Sequence, residues 1–245
     1  MNKIICGTWQ EELPKIPNEF VDLIIIDPPY VLTKEKWDKE DQVNEILSRE
    51  LLRILKPTGS LYCWGGIGEK SQTIINWFLI FKNTGWYFKD WITWKKQRGM
   101  GNRRGWLYTR EEILWFVKDN KHFFWNTENQ YSTERRKRDG GKDIIRPSQS
   151  GKFAKSLYKR ITNVWDDIHE RTFNIKEKVN HFTPKPEKAI ESIILAHTKE
   201  DDIVLDCFLG SGTTAVVAKK LKRNFIGIEM NKEYCDLAVE KLINQ

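Results

Sequence analysis

The sequence predicts an α/β domain built on a mostly parallel β-sheet. Short apolar runs alternate with amphipathic helical patterns, as expected for strands covered by helices. A turn that contains glycine joins one such run to a helix, which is typical of ligand-binding α/β sheets. The 245 residues are within the range of one large domain that carries an insertion.

The first part of the chain contains six predicted elements. Residues 20–27 form an apolar run that stops at two prolines, as expected for a buried parallel strand. The apolar spacing in residues 41–55 predicts an amphipathic helix, which ends at Lys56-Pro57-Thr58-Gly59. A strand over residues 60–64, a helix near residues 69–82, and strands near residues 86–94 and 112–118 follow.

The alternating pattern lapses over residues 119–163, which are polar and basic and predict an insertion outside the sheet. It then resumes, and the predicted elements are a helix at 185–197, a strand at 203–207, a helix at 213–221, a strand at 225–229 and a helix at 232–243. The predicted organisation is therefore a first half of the domain (1–118), an insertion (119–163) and a second half (164–245).

Basic residues outnumber acidic ones by 41 to 34, and the excess is concentrated in two segments. Residues 119–163 carry eleven Lys and Arg against five Asp and Glu, and residues 94–110 carry no acid but three glycines, which predict a loop. A polyanion suits such segments, although a solvated loop is the alternative. The basic candidates are Lys95, Lys96, Arg98, Arg103, Arg104, Arg135, Arg136, Lys137 and Arg138.

Composition argues against several other classes of protein. The 4 cysteines are far apart and form no C-x-x-C pair, which predicts neither zinc nor disulfides and favours a reducing cytoplasm. No apolar run approaches the roughly 20 residues of a membrane span, and the N-terminal residues do not resemble a targeting signal. The 4 histidines show no metal spacing, so no metal is predicted. Most of the 11 tryptophans lie in or beside apolar segments and are assigned to the core.

Residues 203–229 predict a site for a nucleoside cofactor. An apolar strand ends at Asp206, a turn leads into a helix, and the next strand ends at Glu229. Glycines let the backbone approach a ligand, a helix start offers free N–H groups to a carboxylate, and the second acid can accept both hydroxyls of a ribose. The third glycine of the dinucleotide pattern is missing, which favours S-adenosylmethionine over NAD. A plain tight turn with a solvated Glu229 is the alternative. The turn residues are Phe208, Leu209, Gly210, Ser211, Gly212 and Thr213.

The segment Asp27-Pro28-Pro29-Tyr30, here called the clamp, follows the first apolar strand and suits methylation of an aromatic amino group. The lone pair of such a nitrogen is delocalised into the ring, so a site must aim it at the methyl donor. The Asp27 carboxylate and the Pro28 carbonyl could accept hydrogen bonds from the two N–H groups and thereby aim the lone pair at the methyl donor. The prolines stiffen the turn, and Tyr30 offers a face for a base rotated out of a duplex.

The clamp together with the Phe-x-Gly-x-Gly turn resembles the signature of DNA amino-methyltransferases. The order of clamp, basic insertion and cofactor turn resembles their beta permutation group. Residues 55–60, 112–118, 163–166 and 181–186 resemble further segments of that group in the same order. The resemblance implies a circularly permuted, Rossmann-like class I S-adenosylmethionine-dependent methyltransferase fold with a target-recognition insertion. It also implies base flipping and direct in-line attack on the methyl group.

The same resemblance implies partners and further site residues. Asp27 and Lys185 are expected near S-adenosylmethionine, and the basic candidates are expected to contact double-stranded DNA. A homodimer and a cognate restriction endonuclease are expected by analogy, in a prokaryote or a phage. The chain departs from the family at Cys207, where proline is usual, at Pro184, where glutamine is frequent, and at Thr8, which replaces an acid that reaches the cofactor's adenine.

Aspartate in the first position of the clamp implies adenine N6 as the methylated atom, because cytosine-N4 enzymes of this group more often begin with serine. Four alternatives stay open on the sequence. They are a cytosine-N4 enzyme, an RNA amino-methyltransferase, a DNA-binding subunit without catalysis, and an NAD-dependent dehydrogenase.

Overall fold

The computed structural model describes residues 1–30, 42–67, 71–100, 104, 106–127, 131–135, 158–169 and 184–244. The strands are β1 (Asn2–Cys6), β2 (Val21–Ile26), β3 (Leu55–Gly65), β4 (Tyr87–Met100), β5 (Tyr108–Val117), β6 (Tyr131–Arg135), β7 (Tyr158–Arg160), β8 (Val164–Trp165), β9 (Ile203–Asp206) and β10 (Asn224–Glu229). The helices are α1 (Trp9–Glu12), α2 (Glu45–Ile54), α3 (Thr73–Asn83), α4 (Glu187–His197), α5 (Thr213–Lys220) and α6 (Lys232–Ile243).

In the described part of the chain, eight strands form one sheet in the order β1-β10-β9-β2-β3-β5-β4-β8. The first five strands in this order are mutually parallel, and β5 runs antiparallel to both β3 and β4. The predicted α/β fold with a mostly parallel sheet is therefore confirmed.

The central strand β2 is apolar on both faces because helices cover both sides of the sheet. Ile24 and Ile26 belong to the core that includes residues of α2 and α3, whereas Leu23 and Ile25 belong to the core that includes residues of α4 and α5. This explains why the sequence shows a continuous apolar run here and not an alternating one.

The two halves of the sheet are tied together at the amino end of β2. Asp22 accepts a hydrogen bond from the backbone N–H of Ile203 at 2.9 Å, and Lys56 Nζ lies 2.7 Å from the other carboxylate oxygen. One side chain thus links β9, β2 and β3.

The loop predicted from the glycines of residues 94–110 is wrong for residues 95–100. The strand β4 continues to Met100, and its last residues pair with β5, with Lys95 opposite Arg110 and Met100 opposite Tyr108. Cross-strand pairing outweighs the poor strand propensity of Gly99. The paired strand ends, residues 95–100 and 108–110, together with the described residues 104, 106 and 107, are called the basic hairpin below.

The start of the proposed insertion packs on the main body of the domain. The Phe124 N–H donates to the carbonyl of Thr58 at 2.9 Å, and the Trp125 ring stacks on Trp115 with centroids 5.3 Å apart. Trp125 therefore packs on β5 of the main sheet. The proposed target-recognition insertion would then begin after these residues, and its two described strands, β6 and β7, form a separate antiparallel sheet.

His197, at the end of α4, lies in a buried polar cluster beside this segment. Its Nδ1 donates to the carbonyl of Phe124 at 3.0 Å, which leaves Nε2 to accept from the Tyr62 hydroxyl at 2.8 Å. Burial lowers the pKa of His197 to about 4, so the ring is neutral at pH 7.

Neither a membrane-spanning helix nor a metal-binding cluster occurs among the described residues. None of the helices there is long and apolar enough to cross a membrane. No group of three or more His, Cys, Asp or Glu side chains in that part of the chain is placed to hold a metal ion.

Candidate active site

The clamp and the cofactor turn begin at the same edge of the sheet. The strands β2 and β9 are parallel neighbours, with Ile24 opposite Leu205, and Asp27 and Asp206 lie at their carboxyl ends. From this pair the strand order runs in opposite directions, because β3 follows β2 on one side and β10 follows β9 on the other. Open α/β sheets bind ligands at such a reversal. Two segments from distant parts of the sequence therefore form one site.

The cofactor turn has a backbone shape that favours glycine. Gly210 has a φ of 54° and Gly212 a φ of 88°, both in the left-handed region. A Cβ on Gly212 would lie 2.7 Å from the Cβ of Ala238 in α6. Gly212 is the N-cap of α5, whose first-turn N–H groups have no intrahelical acceptor. The turn thus places free backbone donors beside the acids Asp206 and Glu229.

Asp206 is buried and fixed by its own loop. Its carboxylate accepts from the Thr214 hydroxyl at 2.6 Å and from the Phe208 N–H at 3.0 Å. Burial raises the pKa of Asp206 to about 7, with Asp27 and Glu229 adding repulsion and the two hydrogen bonds opposing the shift. The group is therefore poised to change charge near neutral pH.

Glu229 closes the cofactor turn. One carboxylate oxygen accepts from the Gly210 N–H at 2.8 Å and the other from the Asn231 N–H at 2.8 Å. Burial raises the pKa of Glu229 despite these bonds. Because each carboxylate oxygen can accept more than one hydrogen bond, the residue can hold the loop and still receive a ribose hydroxyl.

These groups fit S-adenosylmethionine, which carries a sulfonium, an ammonium, a carboxylate and a ribose. The acids at the ends of β9 and β10 match the cationic groups and the ribose hydroxyls. The amino end of α5 matches the carboxylate. The site therefore offers the kinds of groups that this cofactor needs.

The remaining predicted cofactor residues lie around the turn with partners of their own. Ser211 is buried, and its hydroxyl accepts from Lys241 Nζ at 2.8 Å. Thr8 follows β1 beside the end of β10, where the Gly7 N–H donates to the Glu229 carbonyl at 2.9 Å. The hydroxyl of Thr8 donates to Glu11 at 3.0 Å. Contact of Ser211, Thr213 or Thr8 with the cofactor stays a prediction.

The carboxylate of Asp27 is held by Lys185 and Tyr30. Lys185 Nζ lies 2.9 Å from Asp27 Oδ2, and the Tyr30 hydroxyl donates to Oδ1 at 2.7 Å. Lys185 Nζ also donates to the Tyr30 hydroxyl at 3.2 Å. Burial raises the pKa of Asp27, while the Lys185 ammonium acts in the opposite direction. The structure thus places the Lys185 ammonium on the clamp, and its predicted contact with the cofactor stays a prediction.

The ring of Tyr30 packs at a tilt of 59° against Trp77, with centroids 6.1 Å apart. Its hydroxyl orients Asp27, a role that the sequence analysis did not assign. Stacking of a base on this ring stays a prediction.

Glu111, which no sequence motif marked as a site residue, completes the polar part of the site. Its two carboxylate oxygens lie 3.0 Å from Lys185 Nζ and 2.7 Å from Lys96 Nζ. Burial acts to raise the pKa of Glu111, but the two ammonium groups outweigh it and the net shift is downward. The only signal in the sequence was an acid that ends the basic run at the start of an apolar strand.

The basic candidates divide into exposed, paired and undescribed residues. Lys95 and Arg104 are exposed. Lys96 is mostly buried and pairs with Glu111, and its contact with DNA stays a prediction. Arg98 and Arg135 lie on β4 and β6, and their side chains lie outside the description. The other candidates, Arg103, Arg136, Lys137 and Arg138, lie outside the described residues.

Comparison with known proteins gives consistent matches. The family model for DNA methylases of the N6/N4 type matches residues 21–240. The Type II methyltransferase M1.MboII of Moraxella bovis is 40% identical over 97% of this chain and 95% of its own length. The DNA adenine methyltransferase YhdJ of Escherichia coli K12 is 34% identical over 98% of this chain and 82% of its own length.

A solved structure shows the same fold. The crystal structure of M1.HpyAVI in complex with S-adenosylmethionine superposes with a TM-score of 0.65 at 27% identity, covering 99% of this chain and 100% of that one. The predicted class I S-adenosylmethionine-dependent methyltransferase fold is confirmed by this match.

Proposed function

The chain belongs to the DNA methylase family, which uses S-adenosylmethionine, and we propose that within it the chain methylates N6 of adenine in double-stranded DNA. The observation that carries the proposal is the position of the Asp27 carboxylate beside Asp206 and the cofactor turn, at the carboxyl ends of neighbouring strands. A base held by the clamp would lie next to the methyl donor.

The bound cofactor supplies an electrophilic methyl group. Asp206, Glu229 and the amino end of α5 would hold the cofactor so that the amino nitrogen of the base could take this methyl group and release one proton to water. Asp27 accepts one N–H and the buried Pro28 carbonyl accepts the other, which directs the lone pair to the methyl group. Pro28 and Pro29 limit the turn to one shape, so the two acceptors are held in place before the base arrives.

Two observations support adenine over cytosine. The clamp begins with an aspartate, Asp27, and in this position the chain resembles the adenine enzymes of the group. A relative 34% identical over nearly the whole chain is named a DNA adenine methyltransferase. Digestion of methylated duplex DNA to nucleosides should yield N6-methyldeoxyadenosine. N4-methyldeoxycytidine in its place would refute the assignment of the base, and faster labelling of RNA than of duplex DNA would refute the assignment of the substrate.

The clamp itself is tested by Asp27→Asn, which keeps the shape of the side chain and removes its charge. We expect the variant to bind S-adenosylmethionine and to lose methyl transfer by about 100-fold or more, the range for groups that act on the transition state. Asp202→Asn, a change of the same type away from the carboxyl edge of the sheet, is the matched control and should stay active. Equal activity of the two variants would show that the Asp27 carboxylate does not act in methyl transfer.

The basic hairpin is the proposed DNA-contacting surface of the described residues. Pairing of β3 with β5 ends at Gly65 and Glu112, whereas β4 and β5 stay paired to Met100 and Tyr108. The hairpin therefore projects beyond the carboxyl edge at which Asp27 lies. Between the two strands, Trp106 is 93% exposed and Arg104 is exposed as well. Cations that bind phosphate together with an aromatic ring that stacks on a base suit nucleic acid.

Two further parts of the proposal concern partners. Several relatives are named Type II methyltransferases, which supports a role beside a restriction endonuclease. Sequencing DNA from cells that express the chain would identify the methylated motif, and an endonuclease that fails to cut this DNA at that motif would be the expected partner. A homodimer is expected by analogy with the family and is tested by sedimentation of the purified chain.

A further inference from the structure

We propose that Glu111 is a positioning residue that sets how strongly Lys185 holds the catalytic carboxylate of Asp27. The inference rests on the proposed methyl transfer through Asp27 and adds to it a residue on β5 that tunes the clamp. It follows from one ammonium group shared between two carboxylates.

The ammonium of Lys185 forms ion pairs with two carboxylates and donates a hydrogen bond to the Tyr30 hydroxyl. Asp27 lies at 2.9 Å, Glu111 at 3.0 Å and the Tyr30 hydroxyl at 3.2 Å from Nζ. The Lys185 side chain is only 9% exposed, so water is a poor substitute for a lost partner. The position of the ammonium is therefore determined by these three groups together.

Glu111 is itself fixed. Its other carboxylate oxygen is 2.7 Å from Lys96 Nζ on the neighbouring strand β4, and its side chain is 12% exposed. Lys96, Glu111, Lys185 and Asp27 thus form a chain of alternating charge that leads from the basic hairpin to the clamp. Such a chain keeps Lys185 from turning fully toward Asp27.

Sharing has a definite consequence for Asp27. An ammonium that pairs with two carboxylates neutralises each of them less than it would neutralise one alone. The negative charge of Asp27 is consequently offset less, which makes the carboxylate a stronger acceptor for the N–H of a base. The described groups that face Asp27 are Lys185, Tyr30, Glu111 and, from the end of β9, Asp206.

The effect of Glu111 on the pKa of Asp27 agrees with this argument. Glu111 raises that pKa and Lys185 lowers it, with burial making the largest contribution upward. The two carboxylates are no more than about 6 Å apart, because both lie within 3.0 Å of the same nitrogen. At that separation, loss of one charge should lower the pKa of Asp27 by about one unit.

The test is Glu111→Gln, which keeps the shape of the side chain and removes its charge. Below its pKa Asp27 is protonated and cannot accept the N–H, so activity falls on the acid side of the pH–rate profile. In the variant we expect the acid limb of kcat to move to lower pH by about one unit. We also expect the plateau value of kcat to fall by about tenfold, because Lys185 then neutralises Asp27 more fully. The Kd values for S-adenosylmethionine and for DNA should change little.

A second variant should shift the acid limb of kcat in the opposite direction. In Lys96→Met, Glu111 loses its other cation and binds Lys185 more strongly, which draws the ammonium away from Asp27. The acid limb should therefore move to higher pH. The two variants together separate tuning from a loss of folding, which would lower activity in both without shifting the limb in opposite directions.

Glu112→Gln is the matched control. Glu112 is the next residue on β5 and is also buried, but its carboxylate binds Trp91 at 2.7 Å and Thr93 at 2.8 Å and does not contact Lys185. Its pH profile should match that of the wild type. An equal shift in Glu112→Gln, or an acid limb that stays in place in Glu111→Gln, would overturn the inference.

Failure of this inference is distinguishable from failure of the proposed function. If the wild type methylates DNA, Asp27→Asn is inactive and the profile of Glu111→Gln is unchanged, the role of Glu111 is wrong and the clamp stands. If the wild type methylates no amino group of DNA, the proposed function is wrong and the inference fails with it. If the wild type methylates DNA but Asp27→Asn is fully active, the role of Asp27 is wrong, and the inference fails while the proposed function stands.

Discussion

Binding of S-adenosylmethionine should become stronger as pH rises through 7 because of Asp206. The pKa of this buried acid is raised to about 7, so in the free protein it gains its charge near neutral pH. The cofactor is cationic and favours the carboxylate over the neutral acid. Binding therefore lowers the pKa of Asp206, and affinity falls when the group must first lose a proton.

The magnitude follows from the ionised fraction of Asp206. About one-tenth of the group is charged at pH 6 and about nine-tenths at pH 8, for a pKa of about 7. If only the charged form binds, affinity rises about tenfold between these values, which corresponds to about 1.4 kcal/mol. Above pH 8 the affinity should level off.

Titration calorimetry without DNA, at intervals from pH 6 to 8, measures this change. The variant Asp206→Asn is the control, because it keeps the size and shape of the side chain and cannot titrate, and the Thr214 hydroxyl can rotate to accept from the new amide. The ammonium of the cofactor also titrates in this range, but it contributes equally to both proteins and cancels in their difference. Equal pH dependence in the wild type and the variant would refute the assignment of Asp206 to the cationic end of the cofactor.

Three further predictions concern stability and DNA binding. Gly212→Ala should lower the free energy of unfolding by about 2 kcal/mol in urea titrations, because φ is 88° and the new Cβ would lie 2.7 Å from that of Ala238; an unchanged midpoint would contradict this packing. Burial lowers the pKa of His197 from 6.5 to about 4. The contribution of the neutral ring to the free energy of unfolding is therefore fully present above pH 6.5 and is lost as pH falls toward 4. Relative to His197→Gln, the wild type should lose about 2 kcal/mol between pH 8 and pH 5, and a constant difference would contradict a buried neutral ring. Trp106→Ala should weaken DNA binding in anisotropy measurements by about tenfold and leave cofactor affinity unchanged, whereas Ile243→Ala, at another exposed apolar residue, should alter neither.

The sequence predicted those parts of the site that depend on one segment at a time. The buried strand before Asp27, the glycine turn before α5 and the acid at the end of β10 each have a local pattern. Because the carboxyl ends of parallel strands share one edge of the sheet, the convergence of the clamp and the turn could be predicted as well.

What the sequence did not predict depends on pairing between distant segments. Nothing near Glu111 indicates that Lys185 lies 3.0 Å away, because that contact requires the register of β5 against β3 and the position of the segment before α4. For the same reason Lys96 could not be distinguished from its exposed neighbour Lys95. The strand at Gly99 arises from pairing with β5 and not from local propensity.

The position of β2 between β9 and β3 has a consequence for synthesis of the chain. The ribosome releases β2 and β3 well before β9, although β9 is the neighbour whose Ile203 N–H binds Asp22. Until β9 emerges, the central strand of the nascent sheet has one unpaired edge, the kind of surface at which chains aggregate. S-adenosylmethionine cannot assist at that stage, because Asp206 is made with β9 and the glycine turn and Glu229 follow it. The edge of β2 must therefore stay out of intermolecular contacts without help from the ligand. The ligand can stabilise the protein only after β9 has paired with β2.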